Sequence, residues 1–299
     1  MKTIIIAGGS GFLGQVLENH FIQKKYKILI LTRQPKKEND IYWNATDLGE
    51  WTIALENSDV LINLTGKSVD CRYNEKNKKL IYDSRINSTN VLGLAINLCE
   101  NPPKLWMNAS TATIYRDSYD KKMCEHSGDI GDNFSMNIAK SWENAFYSIP
   151  NPKTRKVALR TAIVFGKKGG AFKPLKTLTK FGLGGKQGHG KQKVSWIHEL
   201  DFARAVEFLI NNKCLNDNFN LCVPKPINNR TLMKSIQKAL GIPFGIPQPE
   251  TLLKFGAKLI GTETELILKS RNVIPERLLN EGFKFKFTNI NHATKNLKS

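Results

Sequence analysis

The sequence predicts an α/β protein: a doubly wound parallel sheet covered by helices on both faces, followed by a smaller, partly helical unit. Three observations predict it. Over the first 165 residues, short apolar runs alternate with longer amphipathic stretches. The first apolar run leads straight into a glycine-rich turn and a helix-like stretch. After Gly166 the alternation stops, and glycine and proline punctuate the chain. Continuous apolar strands separated by helices are the pattern of a sheet buried on both faces.

The elements follow in order. Thr3–Ala7 reads as a buried strand, Gly14–Lys24 as a helix and Ile28–Thr32 as the next strand. Val60–Leu64 is a further strand, followed by a long helix over Lys76–Asn97. Leu105–Ala109 is a strand, Ser135–Ser148 a helix and Val157–Val164 a strand. Gly182, Gly184, Gly185, Gly188 and Gly190 then crowd one loop, which suits either the hinges of a lid or a plain flexible connection. Periodic order returns over Val194–Ile210, and amphipathic stretches over Leu252–Ile260 and Glu265–Ser270 follow a proline cluster. These features place a first domain at 1–165, with 193–223 returning to it. A smaller domain takes 166–299, mainly 166–192 and 224–299.

Composition excludes several classes. Of 299 residues, 40% are hydrophobic and 24% charged, which is globular rather than fibrous or disordered. The longest apolar runs, about six to eight residues, are too short to cross a bilayer. The N-terminal run MKTIIIAGGSGFLG meets glycine too early for a signal peptide. A cytoplasmic protein with no membrane partner is the expectation. Five cysteines, an odd number with no C-x-x-C, predict reduced thiols and neither a disulfide framework nor a bound metal. Lys+Arg is 45 against Asp+Glu 26, a net charge of +19. The densest cluster, Lys76, Lys78 and Lys79, lies in one polar stretch, so the surplus reads mainly as solvated surface. No motif for specific nucleic-acid binding appears.

The strongest local signal is Gly8-Gly9-Ser10-Gly11-Phe12-Leu13-Gly14, a G-x-x-G-x-x-G variant of the dinucleotide fingerprint between the first strand and the first helix. Gly8 permits the tight turn, Gly11 lets the backbone approach a pyrophosphate, and Gly14 lets helix and sheet pack closely. Helix N-terminal amides then meet the negative charge. The second strand ends Thr32-Arg33, where an NAD site often has an acid for the ribose 2′-hydroxyl. A guanidinium there suits a 2′-phosphate, so NADP(H) is the expected cofactor in a Rossmann-type domain.

Further segments carry a family resemblance: DVLINLTG at 59–66, DSRI at 83–86, NAST at 108–111, SWEN at 141–144, LRTAIVFG at 159–166, SWIHELD at 195–201 and VIPERLLNEGFKF at 273–285. With GGSGFLG and LTR, they make the chain resemble the extended short-chain dehydrogenase/reductases of the NAD-dependent epimerase/dehydratase group. Within it, the chain is similar to an NADP-binding epimerase-like subfamily of unknown substrate. The resemblance implies roles. Asp47 and Leu48 match a pair near the adenine, and Leu64, Thr65 and Gly66 the segment along the adenosine. Asn87 matches an asparagine that orders a proton-relay water. Ser110, with Thr111 as alternative, matches the hydroxyl that bonds a substrate carbonyl. Arg160 and Ile163 match the strand end beside the nicotinamide, and His198 a segment that closes the site. Members of the group often pair through two helices, so a homodimer is allowed.

The chain departs from the superfamily at its catalytic pair. No tyrosine is followed by lysine at the fourth position; the matching helix has Ser135 and Ala139 there. Another acid must serve if there is chemistry. Tyr115, just past the Ser110 strand, ranks first among Lys67, Arg72, Arg85 and His198. Arg72 and Arg85 suit an anionic substrate group or a plain helix-face charge, and Lys67 and His198 complete the expected substrate side. Each has a bland alternative: Tyr115 as core aromatic and His198 as satisfied core histidine. Two functions follow: an oxidoreductase or epimerase-like enzyme on a small carbonyl or sugar-like substrate, or a non-catalytic NADP(H) sensor acting through a protein partner.

Overall fold

The computed structural model describes residues 1–261 and 263–298. Thr262 and Ser299, assigned above to the C-terminal unit, lie outside the described residues. The chain opens with β1 (Thr3–Ala7), α1 (Phe12–Gln23), β2 (Lys27–Thr32), β3 (Asp40–Tyr42) and β4 (Val60–Asn63). Then come α2 (Glu75–Leu98), β5 (Leu105–Thr111), α3 (Phe134–Ser148), β6 (Arg155–Thr161) and β7 (Ile163–Phe165). Next are α4 (Phe172–Lys180), β8 (Lys193–Val194), β9 (Trp196–His198), α5 (Glu199–Asn211) and β10 (Asp217–Leu221). The last elements are β11 (Ile227–Asn228), α6 (Asn229–Leu240), α7 (Glu250–Ile260), α8 (Glu265–Leu268), α9 (Glu276–Asn280) and α10 (Ile290–Lys298).

Seven strands form one sheet in the order β10-β6-β5-β4-β1-β2-β3, and every neighbouring pair runs parallel. Successive side chains of a strand point to opposite faces. Ile4 and Ile6 therefore join Leu17, Phe21, Val206 and Leu209 of α1 and α5 on one face. Ile5 joins Leu61, Leu92, Trp106 and Phe146 on the other, under α2 and α3. A third core lies beyond the sheet, where Phe165, Phe172, Trp196, Leu232, Met233, Ile236, Phe287 and Leu297 pack together. Tertiary burial of these faces, more than propensity, holds the helices.

Two departures from the sequence reading bear on the main sheet. β3 was not foreseen, because three partly exposed residues at a sheet edge leave too little apolar pattern. The expected single strand Val157–Val164 divides at Ala162. Ala162 N still bonds Leu221 O of the main sheet, but Ile163 N bonds Ser195 O, and β7 leaves to pair with β9. The returning segment supplies α5, which packs on α1, and β10, the outermost strand beside β6.

Asp201 fastens this return to the C-terminal segment. It is wholly buried, and its oxygens accept Lys286 N at 2.9 Å, Phe287 N at 2.7 Å and Arg204 Nη1 at 2.7 Å. Asp201→Ala leaves two main-chain donors without an acceptor, so stability should fall by about 2–4 kcal/mol. Urea unfolding measures it; a loss below about 1 kcal/mol would mean that water replaces the carboxylate freely.

Candidate functional site

The strand order reverses at β1, which lies between β2 and β4. Ligands of open parallel sheets bind outside the strand ends at such a reversal. An open cleft of about 1150 Å³ is found there. Gly8–Gly11, Thr32, Arg33, Leu64–Lys67 and Asn87 all line it.

The glycines of the first turn do different work. Gly8 has φ +73°, and a Cβ there would lie 3.0 Å from Thr65 Oγ1. A Cβ on Gly9 would meet Ile30 at 2.7 Å, and one on Gly14 would lie 2.2 Å from Gly9 O. These positions are closed by their neighbours. A Cβ on Gly11 would meet only Gly8 O, at 3.6 Å, so the backbone there is open to a ligand. No side chain caps α1 at Gly11, which leaves the first-turn amides for an anion. Two buried polar atoms of lining residues, Thr65 Oγ1 and Trp43 Nε1, have no partner. Phe12, Leu13 and Gly14 do not line the cleft; Phe12 instead packs against Gly166, Gly169 and Gly170.

Arg33 is exposed at the end of β2, with Lys36 and Lys37 near it on the same wall. Lys37 is tied to Glu18 at 2.6 Å, while the Asp40 carboxylate accepts the amides of Lys36 and Lys37. The far wall is Trp43, Asn44, Ala45 and Thr46. Asp47 and Leu48 fall just outside. The Asp47 carboxylate accepts Asn44 Nδ2 and Thr46 Oγ1 and so braces that wall from behind, and Leu48 is exposed.

The expected catalytic and substrate residues separate into three groups. Asn87 and Lys67 reach the cleft. Ser110 and Thr111 end β5, where Thr111 Oγ1 accepts Thr113 N. The others are held elsewhere, which corrects the sequence reading. Tyr115 is 1% exposed; its hydroxyl donates to Asn220 Oδ1 at 3.0 Å and accepts from Arg160 Nη1 at 2.8 Å. Burial pushes its pKa up to about 12, with Arg160 pulling the other way. It is a core aromatic in a polar chain, not a poised acid. Arg160 forks onto Glu143 through Nε (2.8 Å) and Nη2 (2.7 Å), so its guanidinium is spent inside the fold. Ile163 packs against the C-terminal core.

His198 caps α5 through Nδ1, bonds Asn296 through Nε2 and stacks on Phe287 with centroids 3.8 Å apart. Burial depresses its pKa to about 4, and it is a neutral structural histidine. Arg72 pairs with Glu263 at 3.3 Å. Arg85 lies against Gly66 and over the Trp142 ring, and donates to Lys67 O and Ile81 O. Burial lowers its pKa to about 10. It shapes the β4–α2 loop.

One polar partner at the strand end escaped the sequence reading. Ser110 Oγ donates to Glu143 Oε1 at 2.5 Å. A serine hydroxyl has one proton, so the lone pairs of Ser110 are what remain for a ligand. Glu143 falls on the apolar face of α3 with Met136, Ala139 and Phe146, and Arg160 interrupts an apolar strand. Opposite charges on two buried faces were the available signal. Tyr73, from the β4–α2 loop, also went unnoticed; it packs edge-on against Phe134 beside Ser135, with centroids 4.9 Å apart. Among the described residues, no group of three or more His, Cys, Asp or Glu is arranged to hold a metal ion.

The glycines give a direct comparison. Gly14→Ala forces a methyl into the Gly9 backbone and should cost about 2–3 kcal/mol. Gly11→Ala has room and should stay within about 0.5 kcal/mol of wild type. Thermal melts decide it; equal losses in the two variants would contradict the packing described.

Comparison with known proteins agrees with this geometry. The model of the NAD dependent epimerase/dehydratase family matches residues 4–222, and that of a domain of unknown function, DUF1731, matches 248–297. Epimerase family protein YfhF of Bacillus subtilis is 31% identical, over 99% of this chain and 97% of its own. The crystal structure of human epimerase family protein SDR39U1 with NADPH superposes with a TM-score of 0.89 at 27% identity, covering 99% of this chain and 98% of the human one. A nucleoside-diphosphate sugar epimerase from Corynebacterium glutamicum gives 0.80 at 25% identity, over 98% of this chain and 57% of that one. By fold, cleft and sequence, this chain belongs to the NAD-dependent epimerase/dehydratase family of extended short-chain dehydrogenase/reductases.

Proposed function

We propose that the protein binds NADP(H) in the β1–β2–β4 cleft and acts as an oxidoreductase or epimerase-like enzyme on a small carbonyl or sugar-like substrate. One observation carries the cofactor choice: the wall at the end of β2 presents Arg33 where an NAD site would present an acid. The open backbone at Gly11, the uncapped α1 and the unpartnered Thr65 and Trp43 atoms fit a dinucleotide lying across the cleft. The NADPH in the human neighbour supports the same reading.

When bound, the cofactor supplies hydride exchange with a substrate carbon. The chain must handle the proton. Ser110 faces that task with its proton already committed to Glu143. A substrate hydroxyl can donate to Ser110 Oγ while the Ser110 proton passes to Glu143 Oε1. The reverse transfer returns a proton to the substrate oxygen. Arg160 grips that carboxylate at two points and fixes it in place. This reading differs from the role that resemblance implies, in which Ser110 bonds a substrate carbonyl; the Ser110–Glu143 hydrogen bond supports it. Asn87 lines the approach.

A second reading has its own support. Ser135 and Ala139 replace the catalytic pair, which favours a sensor that binds NADP(H) without turnover. NADPH oxidation across a panel of small carbonyls separates the two. The enzyme reading predicts turnover that Ser110→Ala lowers by about a hundredfold in kcat, with KM little changed. The variant spares the Glu143–Arg160 pair and so should fold. Turnover that survives Ser110→Ala removes the relay; no turnover across the panel leaves the sensor.

A further inference from the structure

The positive charge is concentrated. Residues 166–198 and 224–261 together hold fourteen Lys and Arg and a single acid, Glu250. The rest of the chain, about three times as long, holds 31 Lys and Arg against 25 acids. Reading the surplus as dispersed solvated surface does not account for this segregation.

The fold joins the two segments. α4 packs on α6, and the loops after them pair: Gly185 N bonds Ile246 O at 3.1 Å, Ile246 N bonds Gly182 O at 2.8 Å, and Gln248 N bonds Lys186 O at 2.8 Å. Gln237 Nε2 donates to Gly184 O at 2.6 Å, which ties this ribbon to the last turn of α6. Lys180 and Lys238 stand in the last turns of α4 and α6. The ribbon exposes Phe181 (77%), Phe244 (71%) and Ile246, and α7 directly after it exposes Leu252 and Phe255. Leu252 and Phe255 are three apart and share a helix face, while Lys254 and Lys258 are exposed on the same helix. Scattered apolar side chains on a surface are ordinary, but five on one ribbon and the adjoining helix are not.

We propose that this tip docks on the surface of an anionic lipid bilayer. Phe181, Phe244 and Phe255 enter the headgroup boundary, and Lys180, Lys238, Lys254 and Lys258 meet the lipid phosphates. Apolar side chains ringed by lysine are what an interfacial surface needs: the chains enter the boundary and the ammonium groups stay with the headgroups. Single-stranded nucleic acid is the weaker fit. Aliphatic Ile246 and Leu252 share the patch, and thirteen of the fourteen cations are lysine, whereas base stacking and phosphate forks favour arginine. The contact is peripheral, since no described helix is long and apolar enough to cross a membrane. It does not depend on the cofactor or the reaction.

Co-sedimentation with phosphatidylcholine vesicles, with and without phosphatidylglycerol, tests it at physiological salt. Wild type should bind the phosphatidylglycerol vesicles at least roughly tenfold more tightly than the neutral ones. Phe181→Ser with Phe244→Ser and Phe255→Ser should lose that binding, as should Lys254→Glu with Lys258→Glu, while melting temperatures stay at the wild-type value. No preference for anionic vesicles overturns the proposal. So does full binding by the triple phenylalanine variant, which would be adsorption by charge alone. Competition by poly(U) that requires the same phenylalanines assigns the patch to nucleic acid. A wild-type dimer that the phenylalanine variants make monomeric assigns it to a second copy of this chain.

Discussion

The contact between Gly9 and Gly14 governs the functional half of the molecule. With Gly9 O only 2.2 Å from where a Cβ of Gly14 would stand, the first turn of α1 rests directly on the turn that follows β1. That approach fixes where α1 starts and what its free amides face. Gly8, with φ +73°, turns the chain tightly enough to set Thr65 of β4's exit against it. The cleft is thus framed by main chain from two neighbouring strands, and a side chain at these positions would displace a frame rather than decorate it. Main-chain amides suit phosphate because they hold its charge without adding a lysine that must be desolvated.

A second constraint runs through the sheet's other half. Ser110, Glu143, Arg160, Tyr115 and Asn220 form one buried polar chain across β5, α3, β6 and β10. Asn220 N extends it to the Glu125 carboxylate. Burying an ion pair is costly unless every lone pair and proton is used. Here Arg160 spends its guanidinium on Glu143 and Tyr115, so the group is satisfied and rigid. The same satisfaction leaves Ser110 as the chain's terminus at the strand end. This chain, with Ser135 and Ala139 in place of tyrosine and lysine, holds a fixed carboxylate directly against the Ser110 hydroxyl.

Much of this was legible in the residues. β1, β4 and β5 are apolar runs bounded by loops, and their places were read to within two residues because both faces are buried. The glycine turn was legible because its conformational demands exclude other residues. What escaped depended on long-range pairing. β3 has too few residues to show a period, and the break at Ala162 is set by hydrogen bonds to Leu221 and Ser195 far along the chain. Tyr115, Arg160 and His198 look chemically competent in one dimension. Only packing shows that each has spent its polar atoms on neighbours. Glu143 stood in the sequence only as part of the SWEN segment at 141–144, and its contact with Ser110 is visible only in the fold.

The most direct measurement is a calorimetric titration of wild type and Arg33→Ala with NADPH and NADH. Wild type should prefer NADPH at least tenfold, about 1.4 kcal/mol, and Arg33→Ala should lose that preference while still binding the dinucleotide frame. A wild type that binds neither, or a preference that survives Arg33→Ala, would contradict the cofactor site at the ends of β1, β2 and β4.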